Sequence, residues 1–243
     1  MELKKPTISL DIDWAPDIAI DFVANMLQDH KIKATWFVTH NSPSIQKLKK
    51  NNLFELGIHP NFLEGSTQGD SPSSILNNLK KIIPCAKSIR SHNSFQSTPI
   101  LKEYSKFGLE NECSILLEHT PNIIPYYSKF YDLYRFYHFW EDDIFLFDKK
   151  NWRDTFDTPG LKIFDFHPIH IYLNSKNMKN YKQASSEIGL ENISENNIQK
   201  FINKTDIGIL KEFNDVLKEL EQYETLTIMD QQNVYRKRII FEK

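Results

Sequence analysis

The sequence predicts an α/β fold built on a parallel sheet or barrel. Three observations predict it. Short apolar runs alternate with amphipathic stretches along most of the chain, the order that strand–helix–strand units require. The apolar runs repeatedly end in acids and histidines. With 243 residues, 40% of them hydrophobic and 26% charged, the chain is of ordinary globular composition and long enough to bury roughly three quarters of its unfolded surface.

Each element carries its own signal. Residues 7–10 are a β-like run that stops in an acidic, aromatic turn, Asp11-Ile12-Asp13-Trp14-Ala15-Pro16-Asp17. A helix follows, with Ile18, Phe22, Val23, Met26 and Leu27 on one face and Pro16 and Asp17 suiting its N-terminus. Residues 34–39 are a second strand ending at His40, and 44–50 a short helix. A third strand, 53–58, runs into His59-Pro60-Asn61-Phe62. Ser71-Pro72 opens a helix carrying Ile75, Leu79, Ile82 and Ile83. Residues 87–90 are a short strand ending in Ser91-His92-Asn93-Ser94; Thr98-Pro99 begins another helix and Gly108 ends it. Residues 113–117 are a fifth strand, residues 137–140 run into Glu141-Asp142-Asp143, and the strongly apolar 161–166 ends at His167-Pro168-Ile169-His170. Residues 178–204 are polar and irregular, which predicts a lid or linker, and 206–222 is a helix with Leu210, Phe213, Leu217 and Leu220 inward. No repeat, low-complexity tract or composition break divides the chain, so one domain spanning 1–243 is expected.

Charge and composition exclude several classes. The net charge of −2 offers no basic field for nucleic acid or an anionic membrane. No run approaches the ~20 apolar residues of a membrane span, and the N-terminus carries no signal-peptide core, so a cytoplasmic location is expected. Cys85 and Cys113 are too few for a disulfide framework or a thiolate zinc site. Nothing in the sequence sets an oligomeric state.

The strand ends carry the chemistry. In a (β/α) barrel the C-terminal ends of parallel strands share one rim. That rim would gather Asp11 and Asp13, His59, Arg90 and His92, Glu141 and Asp142, and His167 and His170. Carboxylate and imidazole without thiolate suit a divalent ion, zinc first and then Mn, Fe, Co or Ni. Asp11 and Asp13, two apart on a strand, would share a face and repel unless a cation lies between them. The bland alternatives are an acidic turn at Asp11 and Asp13, a hydrogen-bonded loop histidine at His59, a surface ion pair at Arg90 and His92, and a buried structural pair at His167 and His170. His40 ends a strand and is a further rim candidate. His30, His119 and His138 lack such a setting and read as structural or surface residues.

At these residues the sequence resembles a family. The order Ser-Leu-Asp11-Ile-Asp13, Glu-Leu-Gly-Ile-His59, Arg90-Ser-His92, Trp140-Glu-Asp142 and Phe-Asp-Phe-His167 resembles the five motifs of the polysaccharide deacetylase superfamily, of the carbohydrate esterase family 4 type. It is most similar to divergent bacterial members tied to surface-polysaccharide or lipopolysaccharide biosynthesis. The resemblance implies an α/β fold, an incomplete or distorted (β/α)7 barrel, and metal-dependent removal of N-acetyl groups from a saccharide or its small-molecule or lipid-linked precursor. It implies Asp11 as general base, Asp13 and His59 as metal ligands, and His167 as general acid. Arg90 would orient Asp11, helped by Asp142.

Three departures accompany it. One residue separates the first-motif aspartates, which are usually adjacent. The usual second histidine ligand, four residues after the first, is Leu63. The usual Arg-x-Pro is Arg90-Ser91-His92. The third protein ligand therefore stays open between Asn61 and His92, with His170 after them. Trp14, Phe62 and Trp140 would stack on sugar faces or belong to the core, and Glu141 and His170 would line the substrate pocket. The alternatives to a deacetylase are an inactive sugar-binding barrel and a metal-dependent hydrolase of another amide or ester.

Overall fold

Most strands form where β-branched and aromatic residues cluster, and most helices start at a serine, proline or asparagine. The computed structural model describes residues 5–189 and 192–241. β1 (Thr7–Asp11) leads to α1 (Asp17–Asp29), β2 (Ala34–Val38), α2 (Pro43–Leu48) and β3 (Phe54–Ile58). There follow α3 (Pro72–Ile82), β4 (Ser88–Ile89), α4 (Thr98–Lys106) and β5 (Asn111–Leu116). β6 (Tyr126–Ser128), β7 (Leu133–His138) and β8 (Trp140–Glu141) precede α5 (Asp142–Asp148) and α6 (Arg153–Phe156). β9 (Ile163–Phe166), α7 (Pro168–Tyr172), α8 (Met178–Ile188), α9 (Glu195–Ile198), α10 (Ile209–Leu220) and α11 (Ile228–Phe241) complete the order.

Local chemistry fixes the helix starts. The hydroxyls of Ser42, Ser71 and Ser97 accept from the backbone N–H groups of Ile45, Ser74 and Ile100, and a proline sits in the first turn of each helix. Gly108, at φ +70°, ends α4 in the left-handed region that glycine adopts freely.

The strands form one nine-stranded sheet, ordered β6-β7-β5-β4-β3-β2-β1-β9-β8. Every pairing is parallel except β6 with β7. The two sides of the sheet approach each other at Phe139, between β7, next to one edge, and β8, the other edge; the Phe139 N–H donates to Ile163 O at 3.0 Å. The result is the expected incomplete, distorted barrel, its seam bridged there rather than closed by a continuous ladder.

Register sets the rim. Asp11 lies opposite Phe37, and Ile58 opposite Ile89. The next residues continue the ladder: His59 N–H donates to Val38 O and Arg90 N–H to Ile58 O. Asp11, His59 and Arg90 therefore leave the sheet at one level. Gly57 makes this possible, because a Cβ there would lie 2.6 Å from Ser88 O and 2.9 Å from the Phe37 ring.

The core lies between the sheet and its helices, with Trp36, Trp140, Trp152, Phe164, Phe166 and Phe213 among its largest buried side chains. Two expectations change. Residues 178–204, read as an irregular lid or linker, contain α8 and α9, because Ala184, Ile198 and Phe201 are buried and Asn177 caps α8 by accepting from Lys179 N–H at 2.9 Å. Trp140, expected at a sugar face or in the core, is core: it packs on Phe145, Phe164 and Phe166.

Candidate active site

The rim holds a cleft lined by residues from six strand ends, including Asp11, Asp13, His59, Arg90, His92, His138, Glu141, Asp143, Asp165 and His167. Asp11 closes β1. Asp13 does not follow by strand alternation as expected. Asp13 and Trp14 both take positive φ, 42° and 56°, in a turn closed by Ala15 N–H on Ile12 O. Consecutive non-glycine residues in this region store strain, and here the turn aims the Asp13 carboxylate back into the cleft.

Three donor atoms converge on one point. Asp13 Oδ1 lies 3.0 Å from His59 Nε2 and 3.0 Å from His92 Nδ1, and the two ring nitrogens are 3.4 Å apart. A tetrahedral zinc ion with bonds of ~2.0–2.1 Å sets neighbouring ligand atoms ~3.3 Å apart. The observed spacings match that edge, and the donor set of one carboxylate and two imidazoles fits a catalytic divalent ion. His92 thus lies beside His59, while Leu63 is exposed on its loop. Asn61 is engaged elsewhere: its Oδ1 accepts from Leu63 N–H at 3.0 Å and its N–H donates to Gln68. His170 also lies outside this cluster, held between Asp143 (2.8 Å) and Ser175 (3.0 Å).

Beside the cluster, Arg90 Nη1 donates to Asp11 Oδ1 at 3.0 Å and also to Asp165, while its Nε donates to Cys113 O at 2.9 Å. Phe37 lies under the guanidinium at 4.5 Å. Asp142 does not join Arg90. Both its oxygens hold His167: Oδ1 takes Nδ1–H at 2.7 Å and Oδ2 takes the backbone N–H at 2.9 Å. The reason is local, since Asp142 starts α5 beside the end of β9. Asp165 supplies the contact to Arg90 instead. Pro168 in the first turn of α7 swings the chain away at His167, whose Nε2 stays 3.6 Å from Asp13 Oδ2.

Charge follows geometry. Burial pushes the Asp11 carboxyl up, but Arg90, His59 and His167 outweigh it and hold it below its ordinary value. Burial also opposes ionisation of Asp13, which hydrogen bonds from His59 and His92 hold well below the usual range. His59 and His167 resist burial and are raised, His59 by Asp11 and Asp13 and His167 by Asp143 and Asp142. Asp165 and Glu141 are each pushed up to about 7, chiefly by burial. Burial and then Arg90 bring His138 down to about 4.

Sequence reasoning missed part of this wall. His138, read as structural or surface, is buried, lines the cleft and lies 3.1 Å from Glu141. Asp165 was legible in principle: it is the one charge in the apolar run Ile163-Phe164-Asp165-Phe166, two residues before His167 and so on its face of the strand. Trp14 is half-buried, with its ring edge on His92 at 5.5 Å, and Phe62 stacks on Tyr104. His40 bonds Thr39 outside the cleft lining.

The cleft encloses ≈ 60 Å³. At ~10–15 Å³ for each water, that admits an ion and a few waters but not a sugar ring. Among the described residues no helix is long and apolar enough to cross a membrane.

Residues 8–185 match the sequence profile of the WbmS-like polysaccharide deacetylases. A solved structure from Bordetella bronchiseptica, of a protein ascribed to the polysaccharide deacetylases and to O-antigen biosynthesis, is 28% identical with a TM-score of 0.78, over 88% of this chain and 89% of that one. Two more distant structures share the fold. One is the 4-alpha-glucanotransferase of Thermococcus litoralis, 12% identical with TM-score 0.54, over 94% of this chain and 38% of that one. The other, from Mycobacterium smegmatis, is ascribed to the polysaccharide deacetylases and is 13% identical with TM-score 0.51, over 93% of this chain and 95% of that one. No curated protein matches the sequence.

Proposed function

Because the chain belongs to the WbmS-like polysaccharide deacetylase family, we propose that it hydrolyses the acetamido group of an amino sugar, in a surface-polysaccharide saccharide or its precursor, with a divalent ion held by Asp13, His59 and His92. Zinc suits this donor set best. The observation that carries the reading is the meeting of those three donor atoms between the Asp11–Arg90 pair and the His167–Asp142 pair. The part played by surface polysaccharide rests on likeness to the Bordetella protein.

A bound divalent ion would polarise the scissile carbonyl and acidify water beside it. Asp11, kept ionised by Arg90, accepts the proton of the attacking water. Arg90 also fixes the orientation of Asp11, since the same guanidinium is tied to Asp165 and to Cys113 O. Asp142 holds His167 by Nδ1, which leaves Nε2 facing the cleft to give its proton to the departing nitrogen. An amide nitrogen leaves poorly as an anion, so this donation matters; acid–base help of this kind is worth about 10²–10⁴-fold. The products are acetate and a free amine. The sugar ring binds at the mouth, beside Trp14, with only its acetamido group entering.

Metal analysis of the purified protein, with Asp13→Ala and His92→Ala beside it, tests the reading together with acetate release from N-acetylated saccharides. One divalent ion per wild-type chain is expected, lost in both variants. A wild-type protein that takes up no stoichiometric divalent ion overturns it.

A further inference from the structure

The third ligand position is unusual, and the structure around it suggests what makes it work. His92 sits on the loop between β4 and α4, where Asn93 and Ser94 both take positive φ, 54° and 52°. Such a loop does not hold its shape by backbone preference. Beside the backbone bonds of His92 N–H to Pro60 O and of Phe95 N–H to His92 O, two ties hold it from below. At its start, Ser91 N–H donates to Ser114 Oγ at 2.9 Å. At its end, Gln96 Nε2 donates to Glu112 Oε1 at 3.2 Å, and Gln96 Oε1 accepts from Arg135 Nη2 at 2.7 Å.

Both ties lead to one feature of β5. Glu112 lies opposite Arg135, but the register then shifts before Ile115 pairs with Tyr137. This bulge frees Cys113 O to accept from Arg90 Nε and aims Ser114 Oγ at Ser91. Bulges commonly re-aim side chains beside active sites. Glu112, fully buried, pins the bulge by accepting Ser114 N–H on Oε1 at 2.7 Å, and its other oxygen is paired with Arg135.

We propose that Gln96, bridging Glu112 and Arg135, is a positioning residue that fixes the His92 imidazole beside His59 and Asp13 and so sets the affinity of the site for its divalent ion. This inference rests on the metal-dependent reading above. It goes beyond it by assigning the strength of the site to a brace outside the cleft, anchored on a strand that contributes no ligand. Partners that orient metal ligands typically change affinity by about 10–100-fold when removed.

The experiment measures zinc affinity by chelator competition for wild type, Gln96→Ala, His92→Ala and the double variant, together with amide hydrogen exchange over residues 91–97 of the metal-free proteins. The expected result is zinc binding about 10–100-fold weaker in Gln96→Ala, no further loss when Gln96→Ala is added to His92→Ala, and faster exchange at Ser94 and Phe95. Exchange that is unchanged in Gln96→Ala overturns the brace whatever the metal does. Zinc affinity within about twofold of wild type in Gln96→Ala overturns the positioning role while leaving the proposed function standing, as does an equal loss in both backgrounds. Failure of the wild-type arm to bind zinc overturns the functional reading and this inference with it.

Discussion

At the N-terminal end of the sheet Glu55 is surrounded by neutral donors; at the C-terminal end Asp13 is surrounded by imidazoles. Glu55 accepts from Thr35 Oγ1 (2.9 Å), Ser88 Oγ (2.5 Å) and Met229 N–H (2.9 Å), and Asn111 continues the row by donating to Ser88. The first turn of α11 stoppers this end, with Ile228 N–H on Thr35. Burial raises the Glu55 carboxyl, and its hydroxyl and backbone partners only partly offset that. Asp13 is also opposed by burial, yet is held well below the usual range. The difference lies in partner chemistry. Neutral donors satisfy a carboxylate and give it a structural place; two imidazoles converging on one oxygen make a place that a cation fits. Buried polarity alone does not mark a site in this molecule.

The largest expected effect is at Asp11. Asp11→Asn should lower kcat by about 10²–10⁴-fold while zinc affinity stays within about threefold, whereas Glu55→Gln should leave kcat within about twofold of wild type. Acetate release measured for both variants breaks the comparison if the two losses are alike. Next comes Trp140→Ala. Because the indole is buried against Phe145, Phe164 and Phe166, the variant should lose about 3–5 kcal/mol in urea unfolding, with KM of the folded enzyme unchanged; a raised KM without loss of stability would return Trp140 to the sugar face.

The smallest effect sharpens the contrast through pH. The folded-state pKa of Glu55 is raised above its ordinary 4.5, so the folded chain holds that proton more tightly. Its contribution to stability is complete below that ordinary value and is lost as pH rises through the raised one. Asp13 has the opposite sign: its contribution is present above 3.8 and lost as pH falls through its lowered value. Urea unfolding of Glu55→Gln should therefore show less loss of stability than wild type as pH rises above 4.5. A parallel pH profile for the two proteins removes the assigned role of Glu55.

Much of the fold was legible because alternation, serine and proline helix starts and Gly108 are local signals. The rim was legible for the same reason: His59 and His167 each end an apolar run and Arg90 a short strand, and a parallel sheet brings such ends together. What was not legible depends on contacts far apart in sequence. Asp142 was expected on Arg90, but only the neighbouring strands β8 and β9 show that it meets His167. His138 closes a strand whose inner neighbours, Arg90 and Asp165, the sequence does not reveal. That His92 rather than Asn61 lies against Asp13 and His59 depends on the loop after β4 and the bulge in β5. Residues 178–204 hid their helices because, among the described residues there, few apolar side chains (Ala184, Ile193, Ile198 and Phe201) are buried among many polar ones.

The placing of Asp165 between Phe164 and Phe166 has a consequence for how this gene can vary. Phe166 packs on Phe213 and Trp140, on the side of the sheet away from the cleft, while Asp165 faces Arg90 and Ser9. A single-residue insertion or deletion within β9 would turn a carboxylate into the aromatic layer and a phenyl ring into the cleft. Codon gains and losses should thus be purged from this strand yet accumulate in the surface connections, so natural length variants ought to differ between strands and never inside this one.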